Sequence, residues 1–392
     1  MHRPLRPRAA LPGVLFAMAC NSLAGNHEAT LAGVDAGLAD RVAADVATDS
    51  TMDARSEAAI DAPTDAPPTD ASCSVNLQTD PDNCGRCGHS CLGGACTTGQ
   101  CQPITIAAGQ DYPWALTLAN ASVYWANDGA DSGVLVCPTS GCVDAGASVI
   151  ASNQVFPSAV AVDATNVYWT TAGTLSTCPL SGCPAGPVVL ASATQPLAVA
   201  QDAVNLYWTE FNFASPAAGS VYACPKPGCV PITTVASSQT GPFGVAVDDA
   251  GIYWLDNAAM PPQLAQCQLA CGSPSFTPIS PNDPRYIATD GTRIYWTDRA
   301  AVWACSEGAC DAGVLAPNQQ SASGIALDTG NVYWASSGNG AIMTCSKTAC
   351  SPIVLALGQA QPHGVAVDSV AVYWTNTGAT SGAGSVMKVA KP

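Results

Sequence analysis

One short stretch returns seven times along the chain. Ser122-Val123-Tyr124-Trp125 recurs as Val167-Tyr168-Trp169, Leu206-Tyr207-Trp208, Ile252-Tyr253-Trp254, Ile294-Tyr295-Trp296, Val332-Tyr333-Trp334 and Val372-Tyr373-Trp374. Successive tyrosines stand 44, 39, 46, 42, 38 and 40 residues apart. A period near forty with an aliphatic–aromatic pair in each copy marks a four-stranded blade, and such blades close into a ring. The repeat therefore predicts an all-β fold over residues 102–392: a seven-bladed propeller of four-stranded antiparallel blades.

The second copy shows how one blade reads. Pro157 to Asp163 forms the inner strand A, Ala164 to Asn166 a turn, Val167 to Thr170 strand B, Gly173 to Cys178 strand C and Pro187 to Ala191 the outer strand D. The Asp that ends strand A returns as Asp202, Asp248, Asp290, Asp328 and Asp368, with Asn120 in the first copy. These side chains bond backbone amides two residues on, so they read as turn formers. Tyr and Trp alternate faces along strand B, which assigns each to one of the two layers between neighbouring blades.

Cysteines supply a second regularity. Cys137 and Cys142, Cys178 and Cys183, Cys224 and Cys229, Cys305 and Cys310, and Cys345 and Cys350 are five apart. Cys267 and Cys271 are four apart. Each pair brackets a turn between strands C and D, within disulfide range across a hairpin. Zinc would find only half of its tetrahedron there. The seventh copy has no such pair and stops after one strand, Ser385 to Ala390. Its missing outer strand lies upstream, because Pro103-Ile104-Thr105-Ile106-Ala107 matches Pro352-Ile353-Val354-Leu355-Ala356 of copy six. Docking 103–107 beside 385–390 closes the ring and removes two open edges.

With Tyr207-Trp208-Thr209-Glu210, Tyr295-Trp296-Thr297-Asp298 and Tyr373-Trp374-Thr375-Asn376, the repeats resemble the YWTD propellers of lipoprotein receptors and the related NHL-type propellers. The resemblance covers all seven copies and implies the same ring architecture.

Upstream of the ring the composition changes twice. His2, Arg3, Arg6 and Arg8 precede an apolar run from Ala9 to Ala19, too short to span a bilayer and laid out as an export signal, residues 1–19. The run ends Ala17-Met18-Ala19-Cys20, which resembles a bacterial lipobox and implies a lipid on Cys20; an ordinary signal-peptidase site fits the same residues. Cys20 is also the cysteine left over once the others are paired, and lipidation explains it. Residues 20–72 are rich in Ala, Asp, Pro and Thr; between Asn21 and Ser72 ten acids stand against two Arg. Such a segment reads as a disordered acidic tether. Residues 73–101 hold Cys73, Cys84, Cys87, Cys91, Cys96 and Cys101, in a frame that resembles the stigma-specific cysteine motif and implies a small extracellular module. Zinc on Cys84, Cys87, Cys91 and His89 competes on paper. Behind an export signal three disulfides are expected instead, in any of 15 pairings.

The formal charge of −16 with only 13 Lys and Arg argues against nucleic acid, which needs a basic track. Sites on propellers draw on the D–A links and B–C loops around the channel. The starts of strand A supply Trp114, Phe156, Gln195, Phe243, Arg285, Tyr286, Ser323 and His363; B–C loops add Asn127, Asp128, Asp131, Glu210, Phe211, Asn212, Phe213, Asp256, Asn257, Asp298, Arg299, Asn339 and Asn376. Each is also an ordinary loop residue until others converge on it. Within the ring His363 is the sole histidine, Gly-x-Ser-x-Gly is absent and no cysteine is left over, which excludes a histidine metal centre, a serine-elbow hydrolase and a thiol enzyme. No cofactor is expected; Ca²⁺ fits Glu210, Asp256 and Asp298 only if they converge. The reading is thus an exported, lipid-anchored monomer of the bacterial envelope that binds a protein or glycan at the propeller face. Its alternatives are an envelope-assembly scaffold and a lyase acting on a carbohydrate or lactone.

Overall fold

The computed structural model describes residues 73–129, 132–269, 271–280 and 282–392. The export signal, Cys20, the tether and Asp131 lie outside the described residues.

Seven four-stranded antiparallel sheets follow one another. Their inner strands A run Pro113–Ala119, Ala159–Val162, Pro196–Gln201, Pro242–Val247, Tyr286–Thr289, Ala322–Leu327 and Pro362–Val367. Each packs against the strand A of the next blade, and the seventh packs against the first, so the ring is closed. Blade 7 takes its outer strand from upstream: Ile104–Gln110 pairs with Gly384–Ala390, Ile104 opposite Lys388 and Thr105 opposite Met387. The strand runs three residues beyond the expected Ala107, through register shifts that end with Gln110 opposite Gly384.

Strand B explains why the ring holds. All seven repeat tryptophans are buried at 1% exposure or less. Each buried layer contains the Tyr of one blade and the Trp of the next: Tyr124 with Trp169, Tyr168 with Trp208, Tyr207 with Trp254, Tyr253 with Trp296, Tyr295 with Trp334, Tyr333 with Trp374, and Tyr373 with Trp125. At roughly 1.5–3 kcal/mol per buried large side chain, these layers are the main apolar contribution to the ring.

The polar atoms of the same rings are satisfied by repeated partners. Asp163 accepts the amides of Thr165 and Asn166 and the hydroxyl of Tyr168, as expected of a turn former. The tyrosine bond returns at Asp202–Tyr207, Asp248–Tyr253, Asp290–Tyr295, Asp328–Tyr333 and Asp368–Tyr373. Burial and then the hydrogen bond to Asp202 push Tyr207 up to about 12. The indole N–H of Trp169 donates to Gln154 at 2.9 Å, and Gln110, Gln239, Gln319 and Gln359 serve Trp125, Trp254, Trp334 and Trp374 alike. Every such Gln belongs to the link or outer strand preceding its Trp's blade, so it clasps two blades together.

At the A–B and C–D turns a second clasp recurs. Lys226 of blade 3 pairs with Asp163 of blade 2, Lys347 of blade 6 with Asp290 of blade 5, and Lys391 of blade 7 with Asp328 of blade 6. Blade 5 breaks the pattern, because Glu307 stands where Lys347 stands in blade 6, and the Thr289 hydroxyl lies against both Glu307 and Asp248.

The C–D cysteines are all bonded within their own blades. Cys137 joins Cys142 in blade 1, Cys178 joins Cys183 in blade 2, and Cys224 joins Cys229 in blade 3. Cys267 joins Cys271 in blade 4, Cys305 joins Cys310 in blade 5, and Cys345 joins Cys350 in blade 6. Their Cα separations run from 4.6 to 5.8 Å, the span of a hairpin crossing. The second cysteine of a pair also packs. Cys142 and Cys229 are buried, and Cys183, Cys271, Cys310 and Cys350 lie half-buried against the cores of their blades. Loops this short contribute about 2 kcal/mol each in the chain-entropy account.

The cysteine module pairs Cys73 with Cys87, Cys84 with Cys96, and Cys91 with Cys101. The alternative zinc set does not assemble: Cys87 is with Cys73, and both imidazole nitrogens of His89 face backbone oxygens, of Cys84 and of Lys391, at 2.6 Å. Cys84, Cys91 and Cys101 do lie together, because two of the disulfides pack against each other. Module and ring form one compact unit. Leu92 and the module's buried cysteines share a core with Ala356 of blade 6 and Val389 and Ala390 of blade 7.

Candidate functional site

The seven links into strand A build one face of the ring with a repeated backbone device. Tyr112, Phe156, Gln195, Asp283, Ser321 and Gln361 all adopt φ between 51° and 62°, and Gly241 takes 69° at the equivalent place. A left-handed residue before the inner strand turns the chain inward and leaves its own side chain on the face. Phe156 is accordingly 57% exposed.

Two residues on, the register places one side chain per blade at the mouth of the central channel: Trp114, Ser158, Leu197, Phe243, Arg285, Ser323 and His363. The next position is Ala115, Ala159, Ala198, Gly244, Gly324 or Gly364 in six blades, and Tyr286 in blade 5. Small residues are needed there because the neighbouring strand presses in; a Cβ on Gly244 would sit 2.4 Å from the Arg285 carbonyl oxygen. Thr375 and Thr297 fix that approach by donating to the carbonyls of Trp114 and Ser323 at 2.8 Å.

The large side chains of this register form one arc over blades 4, 5, 7 and 1. The ring of Trp114 lies 3.7 Å from that of His363, and the Tyr286 hydroxyl meets His363 Nε2 at 2.7 Å. Arg285 stands over the Phe243 ring at 5.1 Å. Asp283 holds Arg285 and Arg299 through the same oxygen, Oδ2, and its Oδ1 accepts from Asn257. Burial, with Arg285 adding to it against a contact with the Trp114 backbone, pushes His363 down to about 3. The imidazole is therefore neutral at physiological pH, and it offers a hydrogen-bonding edge rather than a charge. Blades 2, 3 and 6 hold Ser158, Leu197 and Ser323 at this position; Ser158 donates toward the Pro196 and Leu197 carbonyls and Ser323 toward those of Pro362 and His363, on the neighbouring inner strand.

Other candidates stand apart from this arc. Phe211 and Phe213 pair at 4.4 Å in the long B–C loop of blade 3, and Phe213 is 47% exposed at the rim. Asp128 lies in the B–C loop of blade 1, where burial and then the nearby Asp111 raise it to about 6. The three acids read as loop carboxylates sit in separate local settings. Glu210 accepts from the Trp208 indole and the Thr194 amide, replacing the absent glutamine clasp. Asp256 is the last residue of its strand, nearly buried, and burial raises it to about 6. Asp298 accepts the amides of Ala300 and Ala301 and the Trp303 indole within its own turn. Glu210, Asp256 and Asp298 do not converge, so no Ca²⁺ site forms from them among the described residues. The signal for the clasp was present but unread: Gln recurs fifteen residues before Trp125, Trp169, Trp254, Trp334 and Trp374. Asp283, which gathers the two arginines, also escaped, since an acid before proline reads as an ordinary turn residue.

Two clefts lie elsewhere. One of about 500 Å³ surrounds the Lys226–Asp163 clasp on the opposite face, and one of about 620 Å³ separates the cysteine module from Ile353 to Leu357 of blade 6.

No protein-family model and no curated protein matches the chain. Among solved structures, a streptogramin B lyase is similar over 74% of this chain and 97% of its own, with a TM-score of 0.58 and 11% identity. The WD40 β-propeller domain of Doa1 is similar over 73% of this chain and 96% of its own, with a TM-score of 0.56 and 12% identity. A computationally designed protein, Ika8, reaches 0.51 over 75% and 88% at 14% identity. At such identities the likeness is one of fold.

Proposed function

We propose that this protein is a binding propeller of the bacterial envelope, exported and tethered through Cys20, that takes its ligand at the channel mouth. One observation carries the reading: Trp114, Phe243, Arg285 and His363 gather where the same register elsewhere holds Ser or Leu, and Tyr286, one position on, joins them where the other blades hold Ala or Gly. Aromatic faces beside a few fixed polar groups are the composition of a ligand site.

Capture from a glycan panel and an envelope extract by the full-length chain tests this. Trp114→Ala is expected to lose the captured ligand while remaining folded, with a cooperative melting transition as the check. Equal capture by the variant would remove the mouth from the function. The anchor is tested separately by mass spectrometry of protein made in a bacterium that processes lipoproteins, where Cys20 should carry diacylglycerol. A soluble product beginning with unmodified Cys20 contradicts it.

A lyase acting on a carbohydrate or lactone is the second reading. It is favoured only by the pairing of two proton-bearing groups, the His363 imidazole and the Tyr286 hydroxyl at 2.7 Å; against it, an imidazole held down to about 3 is a weak base at neutral pH.

A further inference from the structure

We infer that the channel mouth takes a carboxylate carried on a ring, with Arg285 and Arg299 as its charge partners and Trp114 and Phe243 as its walls. This rests on the binding reading above and names its ligand class.

The charge distribution points there. The basic residues of the ring divide between its faces: Lys226, Arg293, Lys347, Lys388 and Lys391 lie toward the A–B and C–D turns, and only Arg285 and Arg299 lie on the face of the mouth. Three of those lysines are matched one to one with aspartates. Asp283 is different, being the one carboxylate shared by two cations among the described ion pairs. Both guanidinium groups reach it through Nε and Nη2, at 3.0 and 2.7 Å from Arg285 and at 3.0 and 2.8 Å from Arg299. One carboxylate oxygen holding the Nε–Nη2 edge of two guanidinium groups orients both, and a second carboxylate matches in shape and charge the outward N–H groups of the exposed Arg299. Arg299, with its side chain 66% exposed, has N–H groups within reach of a ligand.

The rest of the arc selects what bears the carboxylate. Phe243 lies beneath Arg285, and Trp114 lies tilted against His363 of the adjacent blade 7. Flat apolar faces favour a ring over an extended chain. The Tyr286 hydroxyl, bonded to His363, holds that imidazole in place beside Trp114. An aromatic acid presents a flat ring, and a uronic acid presents the apolar C–H face of a puckered one; both set a carboxylate beside a face that an aromatic wall accepts.

Calorimetric titration of the full-length chain tests it, with 4-hydroxybenzoate and glucuronate as probes and 4-hydroxybenzamide and glucose as their neutral counterparts. At least one acid is expected to bind ten times more tightly than its neutral counterpart, and which acid does so names the source of the ring. Arg299→Gln, exposed and therefore safe for folding, should lose about tenfold in affinity for that acid, and added salt should weaken it. Neutral counterparts binding as well as the acids, or an unchanged affinity in Arg299→Gln, would overturn the inference. If no acid binds while Trp114→Ala still abolishes capture from extracts, the ligand class is wrong and the binding reading stands. If Trp114→Ala leaves capture intact, the binding reading itself fails.

Discussion

Gln110 and Trp125 are joined across the seam of the ring. The indole of Trp125, in blade 1, donates to the Gln110 amide oxygen at 3.0 Å, and Gln110 sits in the upstream strand that completes blade 7. The same bond links Trp169 to Gln154 between blades 1 and 2, where no chain break needs bridging. Closure therefore uses the device that every clasped boundary uses.

Removing that device should cost stability at either boundary. Gln154→Ala strips the one acceptor found for the buried Trp169 indole, and an unmade bond of this kind costs about 1–3 kcal/mol. Gln110→Ala should cost less, because the Trp125 indole also donates to Asn127 at 3.1 Å. Chemical denaturation of both variants measures the difference. Equal and negligible losses would show that the glutamines merely decorate the links.

Much of the fold was legible because burial repeats. A Tyr-Trp pair that fills a layer must recur at the blade period, and the upstream strand could be found by its likeness to Ile353-Val354-Leu355-Ala356. The clasping glutamines were not read, since a polar residue in a link looks solvated until its indole partner is placed beside it. The burial of Asp256 and Asp298 was not legible either: they stand at the end of strand B as loop acids do, yet both are buried. The arc of the site joins residues from blades 4, 5, 7 and 1, and only ring closure brings Trp114 to His363. Within one copy there is no trace of that meeting.

Glu307 is the one acid in a position that elsewhere carries a clasping lysine, and it faces Asp248 across Thr289. Burial, and then Asp248, raise the Glu307 carboxyl. For an acid raised on folding, the stabilising protonated form is present at low pH and lost as pH rises through the folded value. Glu307→Lys replaces the repulsion with the ion pair that Lys347 makes with Asp290. It should raise stability by up to about 1 kcal/mol at neutral pH, with the advantage shrinking as pH falls. Melting temperatures of both proteins between pH 4 and 8 check this; a gap that does not change with pH would contradict it.

Asp256 offers a sharper pH test on the other face. Burial raises its carboxyl to about 6 although the Thr240 backbone and the Trp254 side chain favour the ionised form. The native state thus holds a proton that the unfolded chain has already released by pH 5. Stability is lost as pH rises from the ordinary carboxyl range through about 6. Asp256→Asn keeps the shape and cannot ionise. It should gain on the order of 2 kcal/mol over the wild type at pH 8 and show little advantage at pH 4. A variant that is destabilised equally at both values would mean the carboxylate is matched by a partner after all.

The last test concerns how the cysteine module is attached. A module strung on the chain as a separate bead would leave the ring unchanged when its surface is altered. Here His89 bridges the module's Cys84 carbonyl to the carbonyl of Lys391, just beyond the last strand of blade 7, at 2.6 Å on both sides. Leu92 packs into the cores behind blades 7 and 1. The upstream closing strand emerges directly from the module, so the module pins both strands of the seam at once. His89→Ala removes the bridge and leaves all three disulfides in place. It should cost about 1 kcal/mol globally, with a larger local effect: amides of Ile104–Gln110 and Gly384–Ala390 should exchange faster while those of blades 2 to 5 stay as they are. Hydrogen exchange read by mass spectrometry resolves the two regions. Unchanged exchange at the seam would detach the module from ring closure and leave the Ile104–Gln110 pairing to hold it alone.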